Sequence, residues 1–307
     1  MIFDIVTYNI LADDLCSPEH FYESDPKDLK PKTRLLRLKK RLKKFMPAII
    51  CLQELSMTQI HELIPWFHQH GYTGVYRNKI GRNEPLDGIG IFYPIRYYKS
   101  ITYHSYQIGS LSPKVLKDRS RRHVSRDSRD TWSEVTHKPH VAIYLVLQDI
   151  KTKKKFCVVT THLYANPKYE NVKQALLYLF LKHLNKWIKI HKNIPTIVCG
   201  DFNMTPDSDM YDYITRGKML KKIKKKADKP RLKSVYATFE GDEPEFTAHS
   251  KTKLHDIFTD TLDYIWITPK IKIKEVKRLP QIDYMESFLP NEFEPSDHIP
   301  LKATLII

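Results

Sequence analysis

Apolar residues fall along the chain in short runs rich in β-branched side chains: Ile2 to Tyr8, Ala48 to Leu52, Gly88 to Tyr93, Val141 to Leu147, Phe156 to Thr161, Thr196 to Cys199, Leu262 to Thr268 and Leu301 to Ile307. Runs this short predict strands. Between the first two, Leu35, Leu38, Leu42 and Phe45 recur at helical spacing opposite a basic face, so Pro31 to Met46 predicts an amphipathic helix opened by a proline. Glu170 to Ile190 repeats that period through Ala175, Leu176, Leu179, Leu184 and Ile188, and Ser56 to His70 predicts a shorter helix ahead of Gly71. Strands and helices interleave, which predicts an α+β class. Ser110 to Pro139 keeps neither period and is read as a long basic loop. No Gly/Ser-rich linker or repeat divides the chain, so one domain over residues 1–307 is expected.

Composition adds a sign to this picture. The 307 residues carry a formal net charge of +16, which points to an anionic partner. Nine Lys or Arg and no acid lie between Lys30 and Lys44; ten lie between Arg216 and Lys233 against Asp228; seven lie between Lys114 and Asp130 against three aspartates. Each run is also what a solvated face looks like. Cys16, Cys51, Cys157 and Cys199 are far apart and read as reduced core residues, neither a zinc site nor a disulfide framework. Met1 to Val6 lacks a basic flank and reads as a strand, and no run is long enough to cross a bilayer. The expectation is a soluble cytoplasmic protein, with the nucleus also permitted and no membrane partner.

Candidate chemistry gathers at the ends of the strands. Asn9 closes the first, Glu54 the second, His162 another, and Gly200-Asp201-Phe202-Asn203 another; Asp263 opens one, and Ser296-Asp297-His298 precedes the last. Alone, such a Glu is commonly a surface acid and such a His a satisfied core residue. Together they offer carboxylates, amides and imidazoles without thiols, the donor set of a hard cation that neutralises a phosphodiester. The expected ion is Mg2+, with Mn2+ able to substitute.

The ordered series Tyr8-Asn9-Ile10-Leu11-Ala12, Cys51-Leu52-Gln53-Glu54, Asp87-Gly88, Thr161-His162-Leu163, Gly200-Asp201-Phe202-Asn203, Leu262-Asp263-Tyr264-Ile265 and Pro295-Ser296-Asp297-His298 resembles the endonuclease/exonuclease/phosphatase superfamily. Within it the chain looks like the branch of carbon-catabolite-repressor deadenylases, nocturnin, the Angel proteins and 2′-phosphodiesterase. The resemblance implies a DNase-like four-layer α/β sandwich, two packed mixed sheets flanked by helices, with the active site at one edge. It makes Glu54 the principal metal ligand, with Asn9, Asp201 and Asp297 also near the ion. It places Asn203, His162 and His298 around the phosphate, His298 oriented by Asp263 and Asp201 held by Asn203 to position or activate water. Lys79 falls where the family has a substrate-facing lysine.

Two further positions bear on the substrate. In deadenylases of the branch a proline and a phenylalanine sandwich the terminal adenine, and Pro167 and Phe258 stand at those places here. The alternative is that Phe258 packs in the core and Pro167 merely breaks the chain before a helix. The resemblance thus implies a 3′-5′ exoribonuclease that prefers poly(A), reaching messenger RNA through its own basic surface or an adaptor. Arg119, Arg121, Arg122 and Arg126 are the loop residues expected to grip its backbone. Nocturnin-like removal of the 2′-phosphate of NADP(H) is the competing reading, weakened because Tyr164 stands where nocturnin has a lysine. Hydrolysis of 2′-5′ oligoadenylate and a non-catalytic RNA-binding module are the others.

Overall fold

The computed structural model describes residues 1–80, 85–111, 131, 135, 138–224, 229–253 and 256–307. Two six-stranded mixed sheets pack face to face. The first holds β1 (Ile2–Asn9), β2 (Ile49–Leu55), β3 (Tyr72–Ile80), β4 (Pro85–Pro94), β13 (Lys272–Val276) and β14 (Leu301–Ile306), ordered β13-β14-β1-β2-β4-β3. The second holds β5 (Tyr98–Gln107), β6 (Val141–Asp149), β7 (Lys155–His162), β8 (Thr196–Asp201), β9 (Lys233–Ser234) and β12 (Asp263–Ile267), ordered β5-β6-β7-β8-β12-β9. A separate hairpin pairs β10 (Ala248–Ser250) with β11 (Phe258–Asp260).

Alternation along the strands builds the layers. In β7, Phe156 and Val158 face the other sheet, joining Ile5, Cys51, Ile91 and Cys199 in the central core. Cys157 and Val159 face outward, under helix α3 (Glu170–Ile190). Helices α1 (Pro31–Lys43) and α2 (Met57–Gln69) cover the opposite outer face through Leu38, Leu42, Leu63 and Phe67. All four cysteines are free and buried. Among the described residues no helix is long and apolar enough to cross a membrane.

Each sheet contains one parallel pair, β1 with β2 and β7 with β8, joined through α1 and α3 respectively. A parallel pair requires a crossover, so both strands of a pair finish at the same edge. Asn9, Glu54, His162 and Asp201 therefore arrive together.

Strands β3 and β5 have no counterpart in the apolar runs of the sequence. They are the outer strands of their sheets and are largely exposed, so they need no continuous apolar run. The basic clusters also change meaning. Arg34 is fully buried and Lys39 pairs with Glu62 at 3.0 Å. In the second cluster Arg216 and Lys218 both pair with Asp212, and Lys221 with Asp209, on the short helix α4 (Asp209–Thr215). Of the long loop read at Ser110 to Pro139, Val135 is buried against the α3 layer. Arg119, Arg121, Arg122 and Arg126 lie outside the described residues.

Candidate active site

The chain departs from regular strand geometry where it presents the site. The β2–β4 ladder shifts register between Gln53 and Leu55, and Glu54 adopts φ +56° at this bulge, turning its carboxylate out of the alternation. Gly200 has φ +146°, and a Cβ there would meet the Thr161 carbonyl oxygen at 2.0 Å, so only glycine lets β7 and β8 close up beside the site.

Asn9 ties the two sheets together. Its Nδ2 donates to Glu54 Oε1 at 2.9 Å and to Asp201 Oδ2 at 3.0 Å, while its Oδ1 accepts from the Leu11 N–H at 3.0 Å. The resemblance puts Asn9 in the metal set beside Glu54, Asp201 and Asp297; in this orientation it offers nitrogen to the carboxylates and its oxygen is engaged. The Ala12 N–H donates to Glu54 Oε2 at 3.1 Å. The Asn203 N–H donates to Asp201 Oδ1 at 2.8 Å, so its backbone holds the aspartate while its side-chain Nδ2 donates to the Leu163 carbonyl at 2.9 Å.

The two histidines are set differently. His162 Nδ1 accepts from Lys79 Nζ at 3.1 Å, and Lys79 is also paired with Asp87 at 2.7 Å. Burial, then the Lys79 charge, holds His162 well below the usual imidazole range. It is therefore neutral with its proton on Nε2, 3.6 Å from Asp201 Oδ2 and 3.9 Å from Glu54 Oε1. His298 donates from Nδ1 to Asp263 Oδ2 at 2.7 Å. Burial opposes its charge, but Asp263, Asp297 and Asp201 together hold it well above the usual range, as an imidazolium.

His298 and Lys79 only partly offset the charge of the carboxylates. Burial, then Asp297 and Asp87, raises Glu54; burial, then Asp263, pushes Asp201 up to about 7. Glu54, Asp201 and His162 lie with oxygen and ring-nitrogen atoms within 4.8 Å of one another; the two carboxylates are the ligands on offer, since the His162 Nε2 carries its proton. Two buried carboxylates raised by burial and by each other's neighbours, with oxygen as the dominant donor, fit a hard divalent cation. Asp297 lines the same cleft, although its carboxylate is outside that cluster.

The cleft encloses about 1000 Å³. Pro167 and Phe258 both line it, as do Lys79, Asn203 and His298, so these expected residues converge on one space. Four further residues carry weight that no local pattern announced. Asp87, from the motif Asp87-Gly88, pairs with Lys79. His140 Nδ1 meets the His162 carbonyl at 3.1 Å. Lys138 Nζ donates to Tyr164 Oη at 3.2 Å and lies 4.3 Å from that ring's centre. Arg34 donates from Nε to the Pro295 carbonyl and from Nη2 to the Ile10 carbonyl, each at 2.8 Å, and pairs with Asp13 at 2.9 Å. It clamps the segments that carry Asn9 and Asp297.

Known proteins share this arrangement of sequence and fold. The family model described as Endonuclease/Exonuclease/phosphatase family matches residues 6–298. The CCR4-Not complex 3′-5′-exoribonuclease subunit Ccr4 of Saccharomyces cerevisiae is 27% identical over 98% of this chain, which spans 38% of that protein. Carbon catabolite repressor protein 4 homolog 4 of Arabidopsis thaliana is 29% identical over 98% of this chain and 76% of its own length. The crystal structure of ANGEL2, a 2′,3′-cyclic phosphatase, in complex with adenosine-2′,3′-vanadate superposes with a TM-score of 0.80 at 22% identity, covering 99% of this chain and 95% of that one.

Proposed function

The chain belongs to the endonuclease/exonuclease/phosphatase family, and from that premise we propose that it is a Mg2+-dependent 3′-5′ exoribonuclease preferring poly(A). The observation that carries the reading is the cleft itself: Glu54, Asp201, His162 and His298 line one wall system with Pro167 and Phe258. The likeness to Ccr4 and to the Arabidopsis homologue supports RNA as substrate.

Glu54 and Asp201 would hold the cation in the cleft that Asp297 also lines, where it would neutralise phosphate charge and lower the pKa of water. The imidazolium of His298, fixed by Asp263, donates to a non-bridging phosphate oxygen. Neutral His162 presents its Nε2–H to the same group. Asp201, oriented by the Asn203 N–H, accepts the proton of a water attacking phosphorus in line. The bond to the 3′-oxygen of the preceding nucleotide breaks, and a 5′-mononucleotide leaves. A terminal base between Pro167 and Phe258 gains stacking worth roughly 1–3 kcal/mol, enough to favour adenine without excluding other bases.

One observation favours a second reading. Lys138 places an ammonium against Tyr164, where the nocturnin resemblance lacked a cation. That suits the 2′-phosphate of NADP(H). Product release from A20, U20, C20, 2′-5′ oligoadenylate and NADPH by one preparation separates the readings. The exoribonuclease reading requires 5′-AMP from A20 as the fastest reaction; phosphate release from NADPH with A20 inert would replace it.

A further inference from the structure

The end of the sandwich away from the cleft gathers lysines from segments remote in sequence. The β6–β7 turn carries Lys151, Lys153, Lys154 and Lys155, the α3–β8 connection Lys192, and the segment after β12 Lys270, Lys272 and Lys274. All eight are exposed. Topology makes these segments neighbours: they lie at the start of β7, the start of β8 and the end of β12, whose opposite ends carry His162, Asp201 and Asp263, and at the start of β13, where Lys272 pairs with Ile306 at the end of the first sheet opposite Asn9. Hydrogen bonds confirm the adjacency. Lys270 Nζ donates to the Asn193 carbonyl at 2.7 Å, the Cys157 N–H to the Pro195 carbonyl at 2.8 Å, and Lys154 Nζ to the Ile307 carbonyl at 2.8 Å.

This end is charged almost purely in one sense. Residues 149–155, 191–195 and 268–274 contain one acid, Asp149, and its carboxylate is occupied by the N–H and hydroxyl of Thr152, each at 2.6 Å. The nearby ion pair is Lys302 with Asp4; none of the eight lysines forms one among the described residues. The clusters on α1 and beside α4 are different, because acids and buried contacts consume much of their charge. The three segments also contain no Phe, Tyr or Trp, so they can hold phosphate without stacking on bases.

We propose that this end of the sandwich is a second, sequence-independent binding surface for the backbone of single-stranded RNA. It takes the upstream part of the strand whose 3′ end occupies the cleft. The inference rests on RNA being the cleft's substrate. The eight residues of β7 separate the two ends by roughly 20–25 Å, so a flexible strand can pass from one to the other along the side of the molecule, and a very short one cannot. Two sites on one strand raise the effective concentration of the 3′ end at the cleft.

The test uses the full chain with Glu54→Ala, which permits binding without cleavage, with and without Lys151→Glu, Lys153→Glu and Lys155→Glu. Fluorescence anisotropy against A5, A20 and U20 across a salt series is the readout, with a Lys→Met triple variant and melting curves as fold controls. The expected result is a loss of at least tenfold in affinity for A20 and U20 alike. The slope of log affinity against log salt should fall by about 2, at roughly 0.7 for each lost phosphate contact. A5 binding should be unchanged, as should A5 hydrolysis when Glu54 is intact. Unchanged A20 affinity and slope would overturn the proposal, as would selective loss of binding to phosphatidylserine vesicles with RNA binding retained. Failure of the wild-type chain to cleave any RNA would sink the substrate reading alone, since binding is measured separately.

Discussion

His298 and Asp263 approach to 2.7 Å through Nδ1 and Oδ2, one from the loop before β14 and the other from the first residue of β12. The other Asp263 oxygen is buried without a hydrogen-bond partner among the described residues. An acceptor committed to one partner in this way fixes both the ring's orientation and its charge. Asp263→Asn keeps the shape and removes the charge. The expected outcome is a fall in kcat of about 100-fold or more with KM and melting temperature nearly constant, measured on A20; a change confined to KM would contradict the assignment.

Phe258→Ala should narrow the preference for A20 over U20. Losing a stack worth roughly 1–3 kcal/mol corresponds to about 5- to 150-fold in kcat/KM for the adenine substrate. Hydrolysis of a small generic phosphodiester should change far less. An unchanged A-to-U ratio would mean that Phe258 serves packing alone.

Arg34→Met tests the clamp behind the site. It orphans the buried carbonyls of Ile10 and Pro295, at roughly 1–3 kcal/mol for each buried acceptor left without a donor, and leaves Asp13 without its ion-pair partner. Thermal melting should drop by on the order of 5–10 °C, and activity should fall because Asn9 and Asp297 lose their common support. Melting and activity both matching wild type would refute the role.

His183 on α3 gives a pH signature remote from the site. Burial, then Lys186 and His104, lowers it to about 4, and its ring packs 4.0 Å from that of Tyr106. Below the ordinary imidazole value the unfolded chain takes up a proton that the fold resists. The neutral ring's contribution is therefore complete above that value and is lost as pH falls toward about 4. After allowance for solvent screening the effect is of order 1 kcal/mol. His183→Phe should flatten the fall in melting temperature between pH 7 and pH 5; an equally steep fall would count against it.

Much of this was readable from residues alone. Every long strand of the core began as an apolar run, and the motif residues at strand ends converge because parallel pairs end together. The outer strands β3 and β5 were illegible, since exposed edges need no apolar signature. Arg34 sits within a run of surface-like charge, and nothing in Thr33-Arg34-Leu35 reveals that its guanidinium turns inward to two backbone segments, at Ile10 and at Pro295. The lysine-rich end was equally hidden. Its charges come from three short segments, and only the meeting of strand ends sums them into one surface.

The most direct test of the central claim follows 5′-labelled A20 over time with wild-type and Glu54→Ala protein, with Mg2+ or with excess chelator. The wild-type chain with Mg2+ should shorten the label one nucleotide at a time from the 3′ end and release 5′-AMP. Glu54→Ala and chelated wild type should leave the RNA intact. Internal cuts, release of 3′-phosphorylated nucleotides, or undiminished activity in chelator would contradict the account.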